Sequence, residues 1–244
     1  MTKENQLKGL NVLITGATRG IGKAAALEAA RRGAHIIAVG RTQGALEELD
    51  DEINELGSSA TLVPLKLEDF SAIDRLGAAI FERYKSLDAL IGNAGMLGTL
   101  SPVAHLSPKD FEKTMAVNFI ANYRLIRSFD LPLKEAKAGR CLFVSSNAAN
   151  SAKPYWGLYA ASKAALNSMV KSYAGEVANT SVNANIFYPG AVRTNMRAKA
   201  MPGEDPMSLP HPNKIAPYII DMIAPDYNEN GKIFDIKDKE LREI

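Results

Sequence analysis

Between Leu10 and Gly22 the chain reads "LNVLITGATRGIG". The first half is a short apolar run of Leu, Val and Ile, the pattern of a strand buried on both faces. The second half, "TGATRGIG" from Thr15, sets glycines at positions 16, 20 and 22 and passes at once into the helical pattern "GKAAALEAARRG". Glycines let the backbone turn sharply and approach a pyrophosphate, which then sits on the free N–H groups of the helix start. On its own such a turn also serves as a plain helix entry. After the first strand of a βαβ unit it favours a nucleotide.

Outward from this stretch the same alternation continues. Short apolar runs recur as "HIIAVG" from His35, "ATLVPL" from Ala60, "LDALIG" from Leu87, "RCLFVSS" from Arg140, "VNANIFY" from Val182 and a weaker "KIFDI" from Lys232. Between them lie segments with apolar residues at helical spacing and a Gly just past the end, such as "ALEELDDEINELG". The pattern predicts an α/β fold: one Rossmann domain over residues 1–244, with a doubly wound parallel sheet of about seven strands and helices on both faces. Ligands of such sheets bind at the carboxyl ends of the strands. The irregular segment "RTNMRAKAMPGEDPMSLPHPN", Arg193 to Asn213, carries four prolines and a Gly that weaken any long helix. It is too short for a domain and is expected to form a substrate lid.

Composition narrows the function. With 29 basic against 27 acidic residues the net charge is +2, which does not suggest nucleic acid as a partner. No run approaches the roughly 18 apolar residues of a membrane helix, and "MTKENQLKG" is too polar for a secretory signal, so the expected location is the cytoplasm. The single Cys141 excludes an intrachain disulfide, and His35, His105 and His211 lie far apart without ligand spacing, so no metal is expected.

The end of the second strand speaks to the choice of cofactor. About 20 residues beyond the glycine turn, a NAD site usually carries an acidic residue for the ribose 2′-OH. Here the sequence is "VGRT", with Gly40 and Arg41. A guanidinium can pair with a 2′-phosphate through charge-assisted hydrogen bonds, and Arg19 in the glycine turn could supply a second cation. NADP(H) is therefore favoured over NAD(H), against the plainer alternative of two solvated surface arginines.

Together "TGATRGIG", "GNAG" at Gly92 to Gly95, "VNF" at Val117 to Phe119, "VSS" at Val144 to Ser146, "YAASK" at Tyr159 to Lys163 and "YPGAVRT" at Tyr188 to Thr194 come in the order of the short-chain dehydrogenase/reductase family, which the chain resembles over nearly its whole length. The wording "NAGMLG", "YWGLYAASK" and "RTNMRAKAMPGEDP" further resembles a bacterial branch whose members mostly lack assigned substrates. The resemblance implies that Tyr159 is the general acid in carbonyl reduction and the base in alcohol oxidation, while hydride moves to or from the nicotinamide. It gives Lys163 a hold on the nicotinamide ribose, and the helical spacing points both side chains the same way. A cation about 4 Å from a phenolate is worth roughly 4 kcal/mol at an effective dielectric of 20, or about 3 pKa units, which would bring the phenol down toward neutrality. Without the other motifs, a Tyr/Lys pair at this spacing is ordinary on a solvated helix face.

Successive strand residues point to opposite faces, so Ser145 and Ser146 cannot both face the site. The family spacing of thirteen from serine to tyrosine selects Ser146, whose hydroxyl would polarise the substrate carbonyl. Either serine could instead satisfy a turn at the strand end. By resemblance Asn118 fixes a water behind Lys163 and completes a catalytic set with Ser146, Tyr159 and Lys163, while Asn122 is expected to be a bystander. The implied cofactor contacts are Gly16, Thr18, Arg19, Gly20, Ile21 and Gly22 in the turn, Arg41, Leu67, Asn93, Ala94 and Gly95, Tyr159 and Lys163, and Pro189, Gly190, Val192 and Thr194. Three features depart from the family: Lys66 stands where an Asp is common, Gly92 replaces the first Asn of "NNAG", and the end "NGKIFDIKDKELREI" lacks the usual "DGG".

The expected activity is hydride transfer between nicotinamide and a small-molecule carbonyl or secondary alcohol. The rivals are a non-catalytic NADP-binding regulator and an epimerase or dehydratase of the same family. The latter usually carries a longer C-terminal substrate region than the chain has after Thr194. Met96, Tyr155 and Met196 are the candidate substrate contacts, and by resemblance the chain forms a homodimer or homotetramer through helices of the fourth and fifth crossovers.

Overall fold

The computed structural model describes residues 5–151 and 153–244. Seven strands follow the apolar runs: β1 (Asn11–Thr15), β2 (His35–Gly40), β3 (Ala60–Pro64), β4 (Ala89–Gly92), β5 (Arg140–Val144), β6 (Asn183–Tyr188) and β7 (Lys232–Asp235). An eighth, β8 (Glu240–Glu243), is one more than the periodicity predicts. Its four residues are all exposed and mostly charged, so it carries no apolar run to signal a strand. The sheet order is β3-β2-β1-β4-β5-β6-β7-β8. Every pairing is parallel except the antiparallel β7–β8 edge.

Alternation along the strands sends side chains into two cores. Val12, Ile14, Ile36, Ala38, Leu142 and Val144 face one layer, where α1 (Gly20–Arg31), α2 (Gln43–Glu55) and α8 (Pro212–Asp221) supply Ala25, Leu49 and Ile219. Leu13, Ile37, Val39, Cys141 and Phe143 face the other, against Ile73 of α3 (Phe70–Tyr84), Phe129 of α5 (Ala121–Lys134) and Leu166 of α6 (Gly157–Glu176). Strands buried on both faces in this way are the all-apolar runs read from the sequence.

The chain winds outward from β1 to β3, then crosses back to lay β4 on the other side of β1. This reversal opens a crevice at the carboxyl ends of β1 and β4, the place where such sheets take a ligand. The glycine turn after β1 and the "GNAG" loop after β4 both border it.

Two local features shape what stands there. Between α4 (Pro108–Met115) and α5 the helix widens into a π turn over Ala116–Ile120, with Asn118 buried in its middle. Such widened turns release a backbone carbonyl from the helical ladder and are frequent at functional sites. The segment after Thr194 is folded rather than loose. It forms the short helix α7 (Asn195–Ala200) and a 3-10 turn at Pro206–Ser208, tied together by the Arg197–Glu204 ion pair.

Candidate active site

The glycine turn and the "GNAG" loop are built against each other. Thr15, fully buried at the end of β1, accepts hydrogen bonds on Oγ1 from the backbone N–H groups of Asn93 at 3.1 Å and Ala94 at 3.0 Å. The Asn93 side-chain amide donates back to the Thr15 carbonyl at 2.9 Å. A Cβ on Gly22 would lie 2.2 Å from the Gly16 carbonyl oxygen and 2.4 Å from Asn93 Nδ2, so no larger residue fits there without displacing backbone. Gly16 and Gly20 hold φ of +66° and +57°, which a side chain would strain. Thr194 closes the far wall, its methyl 3.5 Å from the position of a Cβ on Gly20. Thr15 opens the "TGATRGIG" turn, but only the fold brings it to the second loop, so its role leaves no local mark in the sequence.

Of the other candidate cofactor contacts, Thr18 lies beside Gly40, where a Cβ would meet its methyl at 2.7 Å. Arg41 follows directly, and Arg19 and Arg41 are both exposed. Among the described residues no carboxylate pairs with either guanidinium. Ile21 packs partly into the core beneath the turn, and Leu67 is buried in the opposite core layer while Lys66 beside it is exposed. Gly190 takes φ +65° in the turn after β6, following Pro189, and Val192 is buried behind it. The Gly92 departure has a steric basis: a Cβ there would meet Phe143 at 2.3 Å and Asn122 Oδ1 at 2.7 Å.

Tyr159 and Lys163 project from the buried face of α6, with 9% and 3% of their surfaces exposed. Lys163 Nζ donates to the Val144 carbonyl at 2.8 Å and stands 6.0 Å from the centre of the Tyr159 ring. Asn118 Oδ1 and Lys163 Nζ converge on Gly95, at 3.4 and 3.5 Å from where its Cβ would be. The Asn118 amide group clasps Met96 in both directions, accepting from its N–H at 2.8 Å and donating to its carbonyl at 2.9 Å. It also donates to Ser162 Oγ, which in turn donates to the Tyr159 carbonyl. Asn122 is no bystander to this arrangement: buried one turn on, it donates to the Asn118 carbonyl at 2.8 Å. An Asn at that spacing is a sequence signal, but only the fold shows its amide on the Asn118 carbonyl.

The two serines separate as strand alternation requires. Ser145 is buried, with no partner for its hydroxyl among the described residues. Ser146 caps the 3-10 turn Asn147–Ala149, accepting from Ala148 N–H at 3.1 Å, and its hydroxyl acts on the Tyr159 phenol.

The electrostatics correct the expectation for Tyr159. Burial pushes its pKa up, and the Ser146 hydroxyl draws it only partly back. Lys163 does not supply the expected depression. Its nitrogen is 6 Å from the ring centre and engaged by the Val144 carbonyl, and burial pulls its own pKa down to about 8.

Among the substrate candidates, Met96 borders the site through its backbone, whereas Tyr155 is 60% exposed and holds φ +71° where its carbonyl accepts from Ser101 N–H. Met196 is partly buried on α7. A pocket of about 340 Å³ opens between Arg193–Ala198 and the returning strand of chain at Glu204–His211.

Known proteins resemble the chain across nearly its whole length. The oxidoreductase YciK of Escherichia coli K12 is 34% identical over 96% of this chain and 94% of its own. A short chain dehydrogenase from Shigella flexneri 2a, solved in complex with NADP, superposes with a TM-score of 0.92 at 32% identity, over 96% of this chain and 99% of that one. One from Escherichia coli CFT073, solved with NADPH, gives 0.91 at 33% identity, over 95% and 98%. The profile described as short chain dehydrogenase matches residues 10–205, from the first strand through the glycine turn and the Tyr159 helix to the segment beyond Thr194. By that match, the chain belongs to the short-chain dehydrogenase family of oxidoreductases.

Proposed function

We propose that the protein transfers hydride between NADP(H) and a carbonyl or secondary alcohol of a small molecule, with Tyr159 as general acid and base. The observation that carries the reading is that buried Lys163 and Asn118 converge on Gly95 while Lys163 and the half-buried Ser146 both flank the buried Tyr159, beside the crevice lined by the glycine turn. The residues fit a dinucleotide. The turn leaves no room for a Cβ at Gly22, as close backbone approach to a pyrophosphate demands, and the guanidiniums of Arg19 and Arg41, without a carboxylate partner among the described residues, stand at the end where a 2′-phosphate would lie. Relatives solved with NADP and NADPH support the same choice.

When bound, the nicotinamide supplies or accepts the hydride. In the reductive direction Tyr159 O–H gives its proton to the carbonyl oxygen as the carbon gains hydride, so C=O becomes CH–OH and the phenol becomes phenolate. A phenol held above its ordinary pKa is neutral and ready to act as that acid at neutral pH. The Ser146 hydroxyl polarises the same carbonyl and steadies the phenolate. Lys163, with its pKa near 8, carries a proton that can return to Tyr159. Asn118 holds the Met96 loop against this group. Residues 193–213 close the substrate side, with Met96, Tyr155 and Met196 on its border.

Tyr159→Phe should bind NADPH like the wild type and lose at least ~10² in turnover of ketones, quinones or 3-oxoacyl thioesters. Unchanged turnover would overturn the assignment.

A further inference from the structure

The catalytic serine stands on a turn that is fastened from the far end of the chain. Asn147, the residue after Ser146, donates from Nδ2 to Asp235 Oδ2 at 2.7 Å. Asp235 ends β7 and is fully buried, an uncommon position for a carboxylate. Arg242 of β8 pairs with the same oxygen, and the backbone N–H of Lys237 donates to Oδ1 at 3.1 Å. The hairpin also continues the β6–β7 ladder, where Ile236 N–H donates at 3.1 Å to the carbonyl of Tyr188 at the end of β6. A buried carboxylate is costly unless its oxygens are filled, and here the donors come from three separate pieces of chain. None of the bonds to the Asp235 carboxylate is needed to close the sheet, since the β6–β7 and β7–β8 ladders run through the backbone.

We infer that Asp235, held by Arg242, is a positioning residue that fixes the Ser146 hydroxyl against Tyr159 through the side chain of Asn147. The inference rests on the proposed role of Ser146 and Tyr159. The C-terminal hairpin thus takes part in the site through the carboxylate of Asp235. With Asn147 released, the turn Asn147–Ala149 keeps only its local bonds, and Ser146 loses its fixed direction.

The test reads Tyr159 itself and needs no substrate. Full-length protein labelled with tyrosine carrying ¹³C at Cζ reports the ionised fraction of each ring at about pH 10, with Tyr159 assigned by the signal missing from Tyr159→Phe and the fold checked by the amide spectrum. Ser146→Ala should lower the ratio of ionised to neutral Tyr159 by about three-fold or more, equivalent to half a pH unit. Asp235→Asn should move it in the same direction. So should Asn147→Ala, which leaves the Asp235–Arg242 pair intact and guards against a folding defect in the first variant. Neither should move it further in a Ser146→Ala background. A shift that persists without Ser146, or none from either variant while Ser146→Ala shifts, overturns the positioning role alone. No shift from Ser146→Ala overturns the pairing of Ser146 with Tyr159 and the inference with it.

Discussion

Gly22→Ala sets two effects of opposite sign against each other. Gly22 lies inside the first turn of α1, where helix propensity alone makes alanine the better residue by about 1 kcal/mol. Its Cβ, however, would fall 2.2 Å from the Gly16 carbonyl oxygen and 2.4 Å from Asn93 Nδ2. Ordinary contact begins near 3.4 Å, so helix and turn must part by about 1.2 Å, the difference between 3.4 and 2.2. The oxygen cannot yield alone, because it belongs to a residue held at φ +66° in the turn. Overpacking on this scale costs about 1–3 kcal/mol, and loosening the Asn93 amide from the Thr15 carbonyl adds about 1. The clash outweighs the propensity, leaving a net loss of about 1–3 kcal/mol. NADPH affinity should fall at least ~10-fold, since the displaced helix start is the proposed phosphate site. Urea denaturation and NADPH fluorescence titration measure both effects. Gly44→Ala is the control: it sits in α2 with open space around a Cβ, and should be neutral or up to about 1 kcal/mol stabilising. If Gly22→Ala proved as stable as wild type with unchanged NADPH affinity, the packed-cradle argument would be refuted.

Other perturbations test separate parts of the structure. Arg41→Ala should weaken NADPH by ~10- to 100-fold while leaving NADH unchanged, as the loss of one charge-assisted phosphate contact requires; a wild type that prefers NADH in the same titrations would contradict it. His35, wedged between Ser59, Thr61 and Tyr84, has its pKa lowered mainly by burial and secondarily by Arg83. The unfolded chain then takes up a proton there before the folded one, so this contribution is present above the unfolded pKa near 6.5 and is lost as pH falls through the lower folded value. Comparing urea midpoints of wild type and His35→Gln at successive pH values should show a shallower acid slope in the variant. Glu204→Ala frees Arg197 from a bidentate pair and should speed limited trypsin cleavage at Arg197 and Lys199 several-fold; equal cleavage would mean that the pair does not hold the segment.

The parts of the fold legible in the sequence are those in which neighbouring residues carry the signal. Seven strands appear as apolar runs because both faces of each are covered, and the parallel order follows from the helices between them. The strand Glu240–Glu243 was not legible, because an edge strand with every residue exposed owes its pairing to the backbone alone. The π turn at Ala116–Ile120 is not legible either, since one extra residue in a turn leaves the apolar spacing almost unchanged. Asn122 looks incidental in the sequence because its bond to the Asn118 carbonyl shows only in the fold.

Tyr159 makes the difference between spacing and surroundings concrete. The four-residue step to Lys163 correctly puts both side chains on one helix face, and from that step a cation close to the phenolate was expected to lower its pKa. Spacing says nothing about how deeply the face is buried or what else engages the amine. Here burial acts on both groups at once, raising the phenol and lowering the ammonium to about 8. The two shifts run in the direction opposite to the one the motif suggests, favouring a neutral phenol over a phenolate. Ser146 is the polar group that pulls the phenol back toward ionisation, and its direction is set by a carboxylate 89 positions along the chain, as 235 minus 146 gives. A contact of that range leaves no periodic mark in the sequence. The balance at the acid therefore depends on the strands' closing the sheet at its far edge, and not on the Tyr–Lys motif by itself.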